Sequence, residues 1–137
     1  MDIAPLKIGE LARRIGLQVE TIRYYEREGL LPAPARSEGN YRLYGSAHVE
    51  RLQFIRHCRS LDISLGEVHV LLNLRDAPER SCITVNELLD KHISDVARRV
   101  HELQALEKQL KELRNRCSSA QAAKDCNILK TLSDTAS

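Results

Sequence analysis

The chain is poor in aromatic residues. Among 137 residues there is no Trp, one Phe and four Tyr, so any core must be built from Leu, Ile and Val. No run of 18 apolar residues occurs, which excludes a membrane-spanning helix. Met1 to Gly9 lack the basic start and apolar centre of a signal peptide, so the expected location is the cytoplasm, with no membrane partner. There is also no Ser/His/Asp arrangement, no phosphate-cradling Gly loop and no convergent carboxylate pair, and acids are spread along helix faces. These absences argue against an enzyme. A large net charge is lacking too, at +2, but the distribution is uneven: residues 1–60 hold Lys7 and nine arginines against seven acids, and the remainder is balanced. Basic residues gathered at one end fit a polyanion partner better than a membrane. In the cytoplasm the four cysteines are expected as thiols, which points to metal binding or redox sensing in place of a disulfide framework.

Residues 83–116 contain no Gly and no Pro, and Ile93, Val96, Val100, Leu103, Leu106, Leu110 and Leu113 recur at steps of three and four. A helix of that length is about 50 Å long, more than the rest of the chain can cover. Its narrow apolar stripe needs a partner helix, and the simplest source is a second copy of the chain in a coiled coil. A thiol sits at each end. In an antiparallel homodimer Cys82 of one chain comes near Cys117 of the other, and Cys126 completes a three-thiol site across the interface. The polar, Pro-containing segment 77–82 reads as a linker, and helix amide hydrogens beyond Cys82 favour its thiolate. Past Cys117 the run SSAQAAKD reads as a loop, and Cys126 opens a short helix over 127–132, so 117–137 forms the C-terminal unit. Two cysteines at this spacing do not match a zinc finger, and buried or incidental thiols are an equal reading of the pair alone.

At the other end, Ile8, Leu11, Ala12 and Ile15 give one helical face, Gly16 ends it, and Val19, Ile22 and Tyr25 begin a second after a short break. Two short helices joined by a Gly-containing turn predict a helix-turn-helix, whose second helix, Val19 to Glu28, would enter the DNA major groove. Gln18, Glu20, Thr21 and Arg23 lie near its leading end, and Tyr24 and Arg27 suit phosphate oxygens. A helical hairpin with a solvated charged face is the plainer alternative. Pro32 and Pro34 stop the helix, and RSEGNYRLY, residues 36–44, predicts a small hairpin turning at Gly39-Asn40. Such a hairpin is a wing, with Arg36, Tyr41 and Arg42 on phosphate or minor groove. Alternatively, Tyr41 and Tyr44 cover the edge of the core; one tyrosine is expected in each role. Two further helices follow within 46–76, the second entered through a Ser64/Glu67 capping box. Cys58, His48, His57 and His69 are expected as structural residues there, and His92 and His101 as coiled-coil flanks. The expected architecture is mainly α: a winged helix-turn-helix domain over 1–76, the dimerisation helix over 83–116, then the short C-terminal loop.

The run TIRYYEREGLLPAPARSEGNYRLY, residues 21–44, resembles the DNA-binding signature of the mercury-resistance regulator (MerR) family, and the similarity continues through HVERLQFIRHCRSLD, residues 48–62. With Cys82, Val85-Asn86, Cys117 and Cys126, the chain is most similar to the lead- and cadmium-responsive branch. The resemblance implies a homodimer on promoter DNA, with Arg23, Tyr25, Arg36, Tyr41 and Arg42 as DNA contacts, although helical periodicity also places Tyr25 on the buried face. It further implies that RNA polymerase is a partner and that metal binding distorts the DNA to align promoter elements.

Three thiolates on a divalent ion leave one net negative charge, and soft sulfur suits soft ions. Zinc prefers four ligands in a closed tetrahedron. Lead(II) and mercury(II) tolerate three, and cadmium(II) would want a fourth donor such as water or Asp125. Copper(I) sensors of the resembled family lack a thiol at the position of Cys82, and some cadmium regulators carry a His-rich tail that this chain lacks. The order of expectation is lead(II), then cadmium(II) or mercury(II). Two rivals stand beside this reading: a redox regulator of the same fold using a Cys117–Cys126 disulfide, and a metal-sequestering protein, which would have no use for the winged unit.

Overall fold

A computed structural model of the chain describes residues 3–118, 120 and 122–134. Positions 119 and 121 of the predicted loop and 135–137 of the C-terminal segment lie outside the described residues. Two compact units emerge, Met1–Val85 and Asn86–Ser137. The division falls inside the long helix, so the linker and the first residues of that helix group with the N-terminal unit, beyond the expected boundary at residue 76.

The first unit opens with α1 (Ile8–Ile15) and α2 (Val19–Arg27). Gly16 makes the tight turn between them: at φ 81° it sits in the left-handed region, and its N–H returns to the Ala12 carbonyl at 2.8 Å. A side chain there would meet the Arg56 guanidinium at 3.1 Å, and that guanidinium is already engaged, capping α1 through the Ile15 carbonyl. Next comes a hairpin of two short antiparallel strands, β1 (Ala35–Arg36) and β2 (Arg42–Leu43), with Ala35 opposite Leu43 and Arg36 opposite Arg42. Its turn closes through Asn40, at φ 65°, whose N–H reaches the Ser37 carbonyl at 2.9 Å. Reciprocal bonds of 2.8 Å between Leu6 and Tyr44 fasten the hairpin to the segment preceding α1.

Then α3 (Ser46–Ser60) and α4 (Leu65–Arg75) close the core. His48 is buried at the start of α3, accepting the Gly45 N–H on Nδ1 at 3.1 Å and facing the Pro32 carbonyl with Nε2 at 3.1 Å, so both ring nitrogens are spent on structure. The Ser64/Glu67 capping box forms at α4, with Glu67 N–H to Ser64 Oγ at 3.2 Å and Ser64 N–H to Glu67 Oε1 at 3.0 Å. Leu11, Ile22, Leu30, Tyr44, Leu52, Ile55 and Val68 are completely covered, and Cys58 joins this aliphatic core. Burial pushes the Cys58 thiol pKa up, which keeps it protonated and inert.

The second unit is built on α5 (Ile83–Arg114), which stops slightly short of the predicted end because Asn115 and Arg116 form a turn. No residue of α5 is buried; Ile93 is 64% exposed and Leu103 62%. A short 3₁₀ turn (Ala123–Asp125) leads through Cys126 into α6 (Asn127–Ser133). Among the described residues no helix is long and apolar enough to cross a membrane.

Candidate nucleic-acid interface and thiol site

Between α1, α2 and the hairpin lies a cleft of about 820 Å³. Its cationic lining is Lys7, Arg13, Arg23, Arg27, Arg36 and Arg42, with Tyr41 at the hairpin side. Only Glu10 and Glu26 oppose them, and both acids are occupied. Glu10 accepts the Lys7 backbone N–H at 3.1 Å, closing the start of α1. Glu26 accepts from the Tyr44 hydroxyl and holds Arg42 at 3.3 Å. A cleft whose cations outnumber its acids, with those acids tied to internal donors, presents a positive face to a polyanion. Tyr44, buried and hydrogen-bonded to Glu26, has its phenol pKa pushed up to about 12, first by burial and then by that carboxylate.

The hairpin side chains are held in place. Arg36 donates to the Asn40 carbonyl at 3.2 Å, and the Tyr41 N–H reaches Ser37 Oγ at 3.1 Å. Tyr41 is 62% exposed with the Lys7 ammonium 5.0 Å from its ring centre, so the outward tyrosine of the wing is Tyr41 and the core tyrosine is Tyr44. Along α2, Gln18 stands exposed at the N-cap, Thr21 is half-buried, and Tyr24 is exposed with the Arg27 guanidinium 5.9 Å from its ring centre. Tyr25, expected both among the DNA contacts and on the buried face, is 8% exposed and packs in the core, its period matching Ile22 and not Arg23. Lys7 and Arg13 line the cleft without having been singled out from the sequence. Arg13 lies on the polar side of α1 opposite Leu11 and Ile15, a position a helical projection would have shown.

In the second unit the Cys117 side chain hydrogen-bonds Cys126. The Cys126 thiol pKa is lowered, first by the Leu129 N–H; burial opposes this as the next largest effect and is outweighed once the Ile128 N–H, Cys117 and the Lys130 charge are added. The thiol with the lowered pKa therefore lies at the start of α6. Cys82 is exposed ahead of α5 in the first unit. Among the described residues of a single chain, no three His, Cys, Asp or Glu side chains gather as a metal-holding group. Two thiols in contact are a donor type that suits a soft cation.

Residues 6–74 match the family described as MerR HTH family regulatory protein, and residues 49–113 match MerR, DNA binding. The chain is similar to the HTH-type transcriptional regulator ZntR homolog of Haemophilus influenzae, at 52% identity over 83% of this chain and 84% of that protein. It is 39% identical to the mercuric resistance operon regulatory protein of Bacillus cereus, over 92% of this chain and 96% of the relative. Among solved structures it resembles the transcription regulator PbrR691 from Ralstonia metallidurans in complex with lead(II), with a TM-score of 0.85 and 52% identity, covering 93% of this chain and 98% of that one. Regulators of this family bind promoter DNA as dimers. A match across half the chain, with relatives aligned along most of its length, establishes that the chain belongs to the MerR family of helix-turn-helix regulatory proteins and is a DNA-binding transcription regulator, not an enzyme.

Proposed function

We propose that this metal-responsive regulator senses a soft divalent heavy-metal ion, lead(II) ahead of cadmium(II) and mercury(II), through Cys117 and Cys126 of one chain and Cys82 of the partner subunit. The response is activation of a metal-resistance promoter in the cytoplasm by distortion of its DNA, so that RNA polymerase engages aligned promoter elements. The observation that carries this reading is the Cys117–Cys126 contact, to which the described residues of the same unit add no third thiol. Cys82 precedes α5 and Cys117 follows it, and 32 helical residues span about 48 Å, so one chain does not close the site. An antiparallel pairing of two α5 helices brings the required thiol from the partner and covers the exposed stripe at the same time.

When bound, the ion supplies a cross-link between thiolates of two chains. The protein's part is to hold three sulfurs and withhold the closed four-ligand set that zinc prefers. Similarity to a regulator described in complex with lead(II) supports that choice, and Asp125, exposed beside Cys126, is the available oxygen donor for cadmium(II). On DNA, Gln18 and Thr21 face base edges from the leading end of α2, while Arg23, Tyr24, Arg36, Tyr41 and Arg42 hold phosphates, aided by Lys7 and Arg13. Induction requires that the thiol geometry be better satisfied in the DNA-distorting state than in the resting one, because equal affinity for both shifts nothing.

The test is titration of the reduced protein with lead(II), cadmium(II), mercury(II) and zinc(II), following thiolate-to-metal ultraviolet absorption under thiol competition. Lead selectivity that disappears in Cys82→Ser supports the shared site; binding no tighter than that of free thiols overturns it. The Cys117–Cys126 contact also favours a second reading, a disulfide switch on the same fold. Response to peroxide with chelator present would select that reading.

A further inference from the structure

Neighbouring charges on α3 meet neighbouring charges of opposite order at the end of α4. Arg51 approaches Asp76, and Glu50 faces Arg75 at 3.9 Å. The Arg51 contact is the closer of the two and involves three chain segments. Its Nε donates to the Leu30 carbonyl at 2.6 Å, and its Nη1 donates to both Asp76 carboxylate oxygens at 3.1 Å. Leu30 lies just beyond α2, after Gly29 at φ 76°, where the chain leaves the DNA-reading helix for the hairpin. Asp76 is the C-cap of α4, its N–H bonded to the Leu72 carbonyl at 2.9 Å. Arg75 adds a stacking contact, its guanidinium 5.2 Å from the Phe54 ring centre on α3.

From Asp76 to Cys82 the chain has little slack. The Ala77 N–H returns to the Leu74 carbonyl at 3.1 Å, the Arg80 N–H to Ala77 at 3.0 Å, and the Ile83 N–H to Ser81 Oγ at 3.1 Å. A continuous set of short turns thus joins the end of α4 to the start of α5 and brackets Cys82. The Arg51 side chain is 19% exposed and its bond to the Leu30 carbonyl is partly buried, whereas the Asp76 end of the link is open to water.

We propose that Arg51 is the positioning residue that couples the Cys82 end of the linker to the DNA-reading unit, by fixing the Leu30 exit of α2 to the Asp76 cap of α4. A change in the linker at Cys82 then moves the α2–hairpin junction directly and is not absorbed by bending at residues 76–82. This inference rests on the three-thiol reading, since Cys82 is the end it starts from. It differs from a stability role in one measurable way: the link between two binding events, and not either event alone, depends on it.

The experiment compares the full-length wild type with Asp76→Asn and Arg51→Lys. Asp76→Asn keeps the size and an acceptor oxygen at a position more than half exposed, and Arg51→Lys keeps the charge but loses the fork. The DNA probe is a duplex selected from a random-sequence pool by the wild-type protein, with 2-aminopurine at its centre. Three quantities are read for each protein: lead(II) affinity without DNA, duplex affinity without lead, and the lead-induced rise in fluorescence that reports duplex distortion.

Asp76→Asn and Arg51→Lys are expected to hold both separate affinities within about twofold of wild type, while the lead-induced distortion falls by about fivefold, within the usual range of coupling between sites. Retention of full distortion in both variants would overturn the proposal and leave the thiol site standing. A parallel loss of melting temperature and of both affinities, with the distortion per bound lead unchanged, would also overturn it, assigning Arg51 to structure alone. If lead binds wild type but causes no distortion, there is no coupling to transmit and the proposal falls. If wild type does not bind lead, the thiol reading falls and takes this inference with it.

Discussion

The two units of this chain satisfy their apolar surface in opposite ways. Met1–Val85 covers Leu11, Ile22, Leu30, Tyr44, Leu52, Ile55 and Val68 completely within itself, while α5 buries none of its residues and leaves Ile93, Val96, Val100, Leu103, Leu106 and Leu110 largely open. The first unit carries its own reason to fold. The second leaves a stripe that the proposed pairing of two copies would cover, and the proposed thiol site would depend on a second copy in the same way, since Cys117 and Cys126 are in contact while Cys82 precedes the 32-residue helix that Cys117 follows.

The comparison breaks most severely if the stripe of α5 is charged. Val100→Asp places a carboxylate in the middle of the proposed pairing face, where burial without a partner costs several kcal/mol. Sedimentation should show the dimer dissociating at least 100-fold more readily, with helix content falling in α5 and the first unit retaining its core. A variant that stays dimeric would place the interface elsewhere. The site can be sharpened by mixing chains. Cys82→Ser and the double variant Cys117→Ser/Cys126→Ser each lack a complete site as homodimers, and the mixed dimer should recover one lead site of the two, read from thiolate absorption. No recovery would mean that the thiols are not shared between subunits in this way.

Within the first unit the expected effect is smaller and local. Leu52→Ala removes a fully covered side chain from a unit with few aromatics to compensate, so unfolding in urea should show a loss of about 2–5 kcal/mol. The equivalent change on α5, Leu103→Ala, should show a dependence on protein concentration that Leu52→Ala lacks, because its partner surface comes from another chain.

Tyr44 provides a pH test of the same self-contained unit. Its folded-state pKa is raised to about 12 from an ordinary value of about 10, so the folded form holds the proton more tightly than the unfolded form. The resulting stabilisation is fully present below pH about 10 and is lost as pH rises toward about 12, by about 2 kcal/mol. Tyrosinate absorbance should show one of the four tyrosines titrating last, and Tyr44→Phe should remove both that step and the associated fall in stability. Titration of Tyr44 together with the others would contradict burial, reinforced by the Glu26 contact, as the source of its shift.

How much was legible in the sequence follows the same division. Gly16, the Ser64/Glu67 box and the Gly39-Asn40 turn are local signals, and each marks the element expected from it. The spacing of Ile22 and Tyr25 already placed Tyr25 inward, and its burial follows periodicity over the motif resemblance. Lys7 leaves no local mark as a cleft residue, because a cleft is assembled from segments distant in sequence, whereas Arg13 is legible on a helical projection of α1 as a cation opposite Leu11 and Ile15. The contacts of Arg51 with Leu30 and Asp76 were equally invisible, since a guanidinium 21 and 25 residues from its partners leaves no periodic trace. For the thiols the spacing alone left incidental cysteines an equal reading; the Cys117–Cys126 contact is a tertiary one that spacing does not report.

The smallest expected effect separates cations that merely line the cleft between α1, α2 and the hairpin from those that are free to meet phosphate. Lys7 and Arg42 both line it, but Arg42 is held by Glu26 at 3.3 Å, while Lys7 lies over the Tyr41 ring, which does not neutralise it. A residue that neutralises a phosphate displaces condensed counterions, so its removal lowers the slope of log affinity against log salt by about one. Lys7→Gln should give that reduction on duplexes of any sequence. Arg42→Gln should give less than half of it, because its charge is shared with Glu26, and Glu26→Gln should raise the slope by releasing Arg42 toward the backbone. If Arg42→Gln lowers the slope as much as Lys7→Gln does, then Arg42 leaves Glu26 on the DNA, and the hairpin is held against α2 by Tyr44 alone.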